Sequence, residues 1–243
     1  MEKIQKLQQM INESKNIVFF GGAGVSTESG IPDFRSQNGL FNTPYKYATQ
    51  KILSKGFFEE HKNIFYDFYK KYLLKLDVKP NAAHRKLAEL EKAGKLKAVI
   101  TQNIDGLHQA AGSKTVYELH GTIHSNHCID CGKEFDAYYM QSQRLVPHCD
   151  ECNGIIKPDI ILYEEDLDLN VYSKATSAMF KADMLIIAGT TLSVYPAASL
   201  IDAFNGRYLV VINKTMPEKK LVDALYINEP VGETLDKITI DGN

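Results

Sequence analysis

The stretch that decides the fold is Ile17–Arg35, with the sequence IVFFGGAGVSTESGIPDFR. It opens with four apolar residues, 17–20, a run short enough for a strand buried on both faces of a parallel sheet. Three glycines follow, Gly21, Gly22 and Gly24, and glycines let a chain turn sharply and let backbone N–H groups approach a phosphate. Val25–Ser29 is then predicted to form the first turn of a helix, whose N-terminus favours an anion. The stretch therefore predicts a phosphate cradle of the dinucleotide-binding kind.

The same stretch departs from the dehydrogenase fingerprint. Val25, Ser26 and Thr27 follow Gly24, where that fingerprint has a third glycine. No Asp or Glu occurs in 36–50, although an acidic residue about 20 positions on is expected to bind the ribose. Hydride transfer is therefore disfavoured, and a dinucleotide has to be held in another way.

Composition sets the class of protein. The chain has 243 residues, 44% of them hydrophobic and 24% charged, which is ample for one large domain or a domain with a smaller insertion. The net charge of -2 provides no basic field, so we expect no nucleic-acid partner. Residues 1–15 have the pattern of an amphipathic helix, and no stretch reaches the roughly 18 apolar residues that span a bilayer. We therefore expect no membrane partner and a cytoplasmic location.

Strand and helix patterns alternate along the chain. The predicted strands after the first are 97–101, 116–119, 159–163, 184–188 and 208–212, and the predicted helices are 2–14, 82–93, 170–181 and 196–204. This alternation implies a parallel, doubly wound α/β sheet, in which ligands bind beyond the carboxyl ends of the strands. The small or polar residues at those ends, expected to converge on one crevice, are Gly21–Gly24, Gln102–Asp105, His120, Gly189–Thr191 and Asn213.

The segment 40–76 differs, because its aromatic residues recur at spacings of three and four. This pattern predicts a helical subdomain that packs its own core, and some of its side chains are also candidates to line a pocket for an aliphatic chain.

The four cysteines form two pairs, Cys128-x2-Cys131 and Cys149-x2-Cys152, separated by 17 residues. Paired knuckles at this separation are typical of a zinc ribbon. Disulfides are the alternative, but a chain without a secretion signal is expected in a reducing compartment. Four thiolates close the coordination shell, so we predict one structural Zn²⁺ that does not catalyse. His124, His127 and His148 are expected to face solvent or pack.

Two polar stretches are candidates for chemistry. Gln102–Asp105 is suited to bind a ribose or a carboxamide, or simply to form an Asx-turn cap for the next helix. His120, at a strand end beside a glycine, is either a general base or a hydrogen-bonded structural histidine. His84 and His108 are interpreted as structural.

Taken together, these motifs resemble those of the sirtuins, the NAD-dependent protein-lysine deacylases, and most closely the small bacterial members. The matching elements are GAGVSTESGIPDFRS (22–36), TQNIDGLH (101–108), HG (120–121), both CxxC pairs, KPDIILY (157–163), GTTLSVYPA (189–197) and IN (212–213). They occur in family order and cover nearly the whole chain.

The resemblance implies a Rossmann-like domain that carries a small domain made of a zinc ribbon and a helical insertion. The expected boundaries are 1–36, 80–123 and 157–243 for the Rossmann-like NAD-binding domain, with 37–79 as the helical insertion and 124–156 as the zinc ribbon.

The resemblance also implies roles for individual residues. Positions expected to bind NAD are Gly22, Ala23, Gly24, Thr27, Phe34, Arg35, Gln102, Ile104, Asp105 and, on the adenosine side, Thr190, Thr191, Asn213 and Val231. His120 and Asn103 match the catalytic positions. The implied reaction moves an acetyl group from acetyl-lysine to ADP-ribose and releases nicotinamide; a sirtuin-like ADP-ribosyltransferase is the alternative.

Two features bear on the substrate. Glu164 stands where the family usually has Gly, in a segment that pairs with substrate backbone, which puts peptide preference in doubt. Family members that take acidic acyl groups carry a Tyr-x-x-Arg pair, and here Tyr69 is followed by Tyr72 in place of the Arg. An apolar acyl pocket that includes Tyr69, Tyr72 and Ile104 is therefore expected.

Overall fold

The computed structural model describes residues 2–215 and 221–240. Its strands are β1 (Ile17–Gly21), β2 (Leu96–Thr101), β3 (Val116–Glu118), β4 (Gly121–Cys128), β5 (Glu134–Asp136), β6 (Ile156–Ile160), β7 (Met184–Ala188), β8 (Tyr208–Ile212) and β9 (Leu225–Ile227). Its α-helices are α1 (Glu2–Glu13), α2 (Thr49–Ile52), α3 (Lys55–Glu60), α4 (Lys62–Phe68), α5 (Ala82–Lys92), α6 (Leu107–Ala110), α7 (Ala137–Ser142), α8 (Leu169–Lys181) and α9 (Val231–Asp236). Met1, 216–220 and 241–243, which the predicted domain segments include, lie outside the described residues.

The main sheet has six parallel strands in the order β3-β2-β1-β7-β8-β9. β1 lies inside it, with Phe19 opposite Val99 of β2 and Ile186 of β7, and all five of its residues are buried. Side chains alternate between the faces of a strand, so Phe19 packs with α1, α5 and α9, while Phe20 packs with α8. Helices therefore cover both faces, as the unbroken apolar run at 17–20 predicts.

A second, antiparallel sheet has the strand order β5-β4-β6. Its core is shared with the helical insertion: Ile123 of β4 and Ile156 of β6 belong to the same hydrophobic cluster as Phe65 and Tyr69. The Tyr66 hydroxyl donates to the Ile156 carbonyl across this boundary. The insertion and the cysteine segment therefore form one structural unit beside the Rossmann-like sheet, which we name the small module (residues 40–74 and 123–162).

Several predicted boundaries are confirmed. Asn81 caps α5 by accepting from the Ala83 N–H, and the ring of His84 accepts from the Asn81 N–H at 3.3 Å. Gly94, at φ +72°, follows the end of that helix in the left-handed region, as its predicted role as a stop requires. β7 and β8 have the predicted bounds.

The predicted helix at Val25–Ser29 is wrong. The chain forms two short 3₁₀ turns instead, Ala23–Val25 and Thr27–Ser29, which end at Gly30 with φ +90°. The left-handed glycine and the Ile31-Pro32 bond, which disfavours α geometry at Ile31, prevent the turn from continuing. The segment 197–203, predicted as helix, is likewise a 3₁₀ helix.

The strand predicted at 159–163 is also misplaced. β6 lies at 156–160 and pairs antiparallel with β4, Lys157 opposite His127, so it belongs to the small sheet and not to the parallel one. Both main-chain groups of Tyr163 are bound by the insertion, its N–H by the Leu53 carbonyl and its carbonyl by the Lys55 N–H. An apolar run alone does not reveal which sheet a strand joins, and neither β9 nor α9 was predicted from the sequence.

Within 2–215 and 221–240, no helix is both long enough and apolar enough to cross a membrane.

Candidate active site

The predicted crevice forms where the carboxyl ends of β2, β1, β7 and β8 lie side by side. The Gln102 N–H donates to the Gly21 carbonyl at 3.0 Å, and the Gln102 side-chain amide donates to Thr190 Oγ1 at 3.1 Å. Thr190 in turn exchanges hydrogen bonds with the Asn213 side chain, at 2.8 and 3.2 Å. The residues past four different strands are therefore joined in one hydrogen-bonded row.

The glycines of the first turn serve close packing. A Cβ on Gly24 would lie 2.7 Å from the Gly189 Cα, and one on Gly22 would lie 2.8 Å from the Thr190 Cβ. The N–H groups of Gly22 and Gly24 already donate to the carbonyls of Ala188 and Gly189. Glycine is needed here so that the turn can seat against the end of β7, which places Ala23 at the rim of the crevice.

A buried polar network lies at the centre of the crevice. Ser26 Oγ donates to Asp105 Oδ2 at 2.6 Å and accepts from Asn103 Nδ2 at 3.0 Å. The other carboxylate oxygen of Asp105 accepts the Leu107 N–H at 3.0 Å. Asp105 is therefore fixed from two sides. Sequence reasoning missed Ser26, whose only signal was a polar residue inside a glycine turn that is otherwise tightly packed.

His120 has the geometry of a general base. Its Nδ1 lies 3.0 Å from the Gln102 carbonyl, and because a carbonyl only accepts, Nδ1 carries the proton in the neutral ring. Burial lowers the pKa of His120, while the hydrogen bond to Gln102 acts in the opposite direction. The ring is thus neutral near pH 7, with the Nε2 lone pair left to take a proton.

Phe34, Arg35 and Ile104 connect the crevice to the small module. Asp33 accepts the main-chain N–H groups of Arg35 and Ser36, and Phe34 and the Arg35 guanidinium both pack against the ring of Phe41. Phe34 and Ile104 also pack against the small-module cluster. No carboxylate lies within ion-pair distance of Arg35 in the part of the chain that the structure describes.

The remaining predicted NAD residues are placed differently. The Thr27 hydroxyl donates to the Gly24 carbonyl at 3.0 Å, and the Thr191 hydroxyl lies 2.7 Å from that of Ser193. The Val231 side chain is buried in the main core, so it does not join the polar groups of the crevice.

Glu28 positions the start of α9, a role that sequence reasoning missed. Its carboxylate accepts the N–H groups of Gly232 and Glu233, at 2.8 and 3.2 Å. It thereby fixes the main chain beside Val231.

The side chains of the four cysteines form one cluster. Their sulfur atoms all lie within 4.8 Å of one another, with 3.4 Å between Cys128 and Cys152 and 3.7 Å between Cys131 and Cys149. Four sulfurs bound tetrahedrally at about 2.3 Å from one zinc ion are about 3.8 Å apart, so the cluster fits the metal. None of the four is in a disulfide.

The local backbone shapes this cluster for sulfur ligands. Gly132 has φ +76°, and a Cβ on Gly154 would lie 2.8 Å from Cys128 Sγ. The Glu151 N–H donates to Cys149 Sγ and the Gly154 N–H to Cys152 Sγ, both at 3.4 Å. The predicted clustering of the four cysteines is confirmed, and its geometry is consistent with a structural zinc ion.

The three nearby histidines make other contacts. His124 Nε2 lies 3.0 Å from the Asp105 carbonyl, His127 pairs with Asp159 at 2.6 Å, and His148 Nδ1 lies 2.8 Å from the Asn153 carbonyl.

Comparison with known proteins agrees with this geometry. The sequence profile of the Sir2 family matches residues 22–196. The NAD-dependent protein deacetylases of Clostridium acetobutylicum and Clostridium perfringens are 51% and 52% identical to the chain, each over 98% of both proteins. This chain belongs to the Sir2 family.

Solved structures of Sir2 proteins have the same fold. A Sir2 complex with a p53 peptide and NAD⁺ has a TM-score of 0.83 and 38% identity, covering 96% of this chain and 95% of its own. A Sir2 protein bound to acetylated peptide has a TM-score of 0.82 and 37% identity, with the same coverage.

Glu164 departs from the usual Sir2 glycine but keeps glycine-like backbone geometry. Its φ is +74°, in the left-handed region where a side chain is strained, and its carboxylate accepts the Gly56 N–H at 3.0 Å. This hydrogen bond joins the segment to α3 and offsets part of the strain.

His84 and His108 form a buried pair in this Sir2 chain, with ring centroids 4.7 Å apart. Burial lowers the pKa of His84 to about 4 and that of His108 to about 3. Since both pKa values lie below the ordinary 6.5, the two histidines bind protons in the unfolded chain at a pH where they stay neutral in the folded chain. The free energy of unfolding should therefore fall as the pH drops from about 6.5 towards 4.

We expect the His108→Phe variant to have a flatter pH dependence of stability. The variant takes up one proton fewer on unfolding than the parent does. Near pH 5, its free energy of unfolding should therefore change with pH by about 1.4 kcal/mol per pH unit less than that of the parent. Urea titrations at pH 7.5, 6 and 5 measure the slope, and zinc loss at low pH affects parent and variant alike. Equal slopes in the two proteins would contradict the assignment.

Proposed function

We propose that this Sir2 family chain is an NAD-dependent protein-lysine deacetylase. It transfers the acetyl group of an acetyl-lysine side chain to ADP-ribose and releases nicotinamide and O-acetyl-ADP-ribose. The observation that carries the proposal is the neutral, partly buried His120, whose ring bonds the Gln102 carbonyl next to the network in which Ser26 holds Asn103 and Asp105. The naming of its closely related clostridial proteins as deacetylases supports it.

The residues of the crevice fit NAD by their chemistry. Gln102, Asn103 and Asp105 offer amides and a carboxylate for ribose and carboxamide, and Arg35 offers a guanidinium to the diphosphate. We assign the nicotinamide and ribose side to Gln102, Asn103, Ile104 and Asp105, and Arg35 to the diphosphate. The diphosphate and adenosine side is assigned to Gly22, Ala23, Gly24, Thr27, Phe34, Thr190, Thr191, Asn213 and the main chain at Val231.

NAD supplies a ribose carbon that carries a cationic leaving group, nicotinamide. Asp105, fixed by Ser26 and Leu107, would bind the carboxamide and so orient the nicotinamide ring as a leaving group. Asn103, bound to the same Ser26 hydroxyl, orients the ribose side. As the bond to nicotinamide breaks, the acetyl oxygen of the substrate lysine would form a bond to the same ribose carbon. His120 Nε2 would accept a proton from a ribose hydroxyl, which activates that hydroxyl to attack the acetyl carbon. Water would then complete the release of free lysine. No electron is transferred, in keeping with the incomplete dehydrogenase fingerprint.

Zinc has a structural role in this proposal. With Cys128, Cys131, Cys149 and Cys152 as ligands, the metal has no open position for substrate or water. It stabilises the small module, whose Phe34 and Ile104 contacts set one wall of the crevice.

The proposed partners are proteins or peptides that contain acetyl-lysine. We propose that the acetyl-lysine side chain enters between two domains with the predicted boundaries, and that neither nucleic acid nor membrane takes part. The small sheet extends past the predicted boundary at 156, because β6 continues to Ile160. We place the activity in the cytoplasm.

The test is incubation of the zinc-loaded protein with NAD and a panel of acyl-lysine peptides, with products identified by mass spectrometry. Deacetylation gives free lysine and O-acetyl-ADP-ribose in equal amounts. The alternative, a Sir2-type ADP-ribosyltransferase with the same NAD residues, would instead give peptide or protein carrying ADP-ribose. Nicotinamide release without acetyl transfer would favour that alternative.

Among acyl groups, we expect acetyl-lysine to exceed succinyl-lysine by at least about tenfold in kcat/KM, equivalent to about 1.4 kcal/mol. Tyr69 lies in the small-module cluster and Tyr72 packs against it. Burial raises the pKa of Tyr69, so its hydroxyl stays neutral. The Lys70 ammonium donates to the Gln143 carbonyl, and that of Lys71 lies over the Tyr72 ring at 5.1 Å. A buried carboxylate would lack a cationic partner.

Peptides that differ only in the acyl group measure this preference, with the Lys71→Met variant as control. The variant should keep the parent's acetyl-to-succinyl ratio. Succinyl turnover equal to acetyl turnover in the parent would overturn the prediction, and its loss in Lys71→Met would identify Lys71 as the cation responsible.

A further inference from the structure

We propose that His124 is a positioning residue for the nicotinamide side of the site. This inference rests on the proposed function, since it assigns a role to the loop that carries Asp105. His124 is the fourth residue of β4, on an exposed part of the small sheet and outside the zinc ligands.

The contact is directional. His124 Nε2 lies 3.0 Å from the Asp105 main-chain carbonyl, and because the carbonyl can only accept, Nε2 is the protonated nitrogen and donates. The Asp105 carboxylate is held separately, by Ser26 and by the Leu107 N–H. His124 therefore fixes the one end of Asp105 that these two groups leave free, its main-chain carbonyl.

The loop also packs directly on the imidazole ring. Gly106 has φ +69°, and a Cβ there would lie 2.6 Å from both Cδ2 and Nε2 of His124. Next to this contact, the Ile123 N–H donates to the Ile104 carbonyl at 3.0 Å. Two successive residues of β4 thus hold three successive residues of the loop, and this arrangement connects the small sheet to the position of Asp105.

The physical consequence is selective. Without the His124 contact, the main chain at Asp105 and Gly106 is held less tightly, although Ser26, Leu107 and Ile123 still bind the loop. The Asp105 carboxylate is then less well positioned, so the nicotinamide end of NAD loses affinity. Groups on the diphosphate and adenosine side do not touch His124, and their affinity should not change. ADP-ribose, which lacks nicotinamide, is therefore the matched ligand for the test.

The experiment measures the Kd of NAD and of ADP-ribose by calorimetry for the zinc-loaded parent, His124→Ala, His124→Gln and the control His127→Ala. We expect His124→Ala to weaken NAD by about three- to tenfold, the value of one hydrogen bond, with ADP-ribose unchanged. A Gln amide reaches the same carbonyl and should restore NAD binding. His127 lies on the same strand as His124 but pairs with Asp159 of β6, so its substitution should have no effect.

Equal weakening of NAD and ADP-ribose in His124→Ala would overturn the proposal, as would unchanged NAD binding or a failure of Gln to restore it. Product inhibition by nicotinamide should weaken in parallel with NAD binding.

A thermal cycle tests the contact without any ligand. Gly106→Ala should lower the Tm in both backgrounds, because the φ strain is present in each. In the His124→Ala background the clash with the imidazole ring is absent, so the loss of Tm there should be at least about 2 °C smaller than in the parent. Equal losses of Tm would overturn the proposed contact. If the parent fails to bind NAD, the proposed function fails, and this cycle still decides whether His124 holds the loop.

Discussion

The His120→Ala variant is expected to lose deacetylation by about 10²–10⁴-fold in kcat while it keeps the parent's affinity for NAD. General-base removal typically costs this much. The His120 ring bonds the Gln102 carbonyl and takes no part in the hydrogen bonds among Asn103, Asp105 and Ser26, so its loss should leave those residues in place. Acetyl-lysine peptide turnover and NAD calorimetry on the same preparation separate the two effects.

The control for this prediction is His127→Ala, which removes a histidine of the small sheet that pairs with Asp159 and Glu134. It should keep the parent's turnover. Turnover of His120→Ala within about threefold of the parent would show that another group takes the proton, since that loss is far below the range expected for a base. An equally large loss of NAD affinity would show that His120 binds NAD and does not only act as a base.

Removal of zinc, by chelation or by Cys149→Ala, is expected to unfold the small module and abolish activity. Cys128 and Cys149 lie in the same buried cluster as Phe65, Tyr66 and Ile156, so losing the metal frees a segment that carries part of this core. Structural zinc contributes on the order of 10 kcal/mol in small zinc domains, comparable to the whole stability of a typical domain. Metal analysis should give one zinc per chain.

The control is Lys133→Ala, which removes two exposed ion pairs across the knuckles, to Asp150 and Glu151, and leaves the ligands intact. Exposed pairs of this kind contribute at most about 1 kcal/mol, so this variant should keep its zinc and activity. Thermal melts and zinc content measure both variants. A zinc-free Cys149→Ala protein with the parent's Tm and activity would contradict a structural role.

The sequence by itself determined the features that depend on local pattern. The run at 17–20 predicted the central strand, because a short apolar run followed at once by glycines suits a strand buried on both faces. The CxxC spacing predicted the cysteine cluster, because each knuckle is short enough to turn both sulfurs to one ion. Asn81 fixed the start of α5 because its side chain caps the next N–H groups along the chain.

The tertiary structure alone decided contacts between residues far apart in sequence. Ser26 and Asp105 are 79 positions apart, and Glu28 and Gly232 are 204 apart, so no local pattern predicts that either pair will bond. β6 reads as a buried strand, but only its pairing with β4 assigns it to the small sheet. Periodicity specifies which face of an element is buried, but not which element packs against that face. The orientation of Asp105 likewise depends on how the two sheets and the insertion pack together.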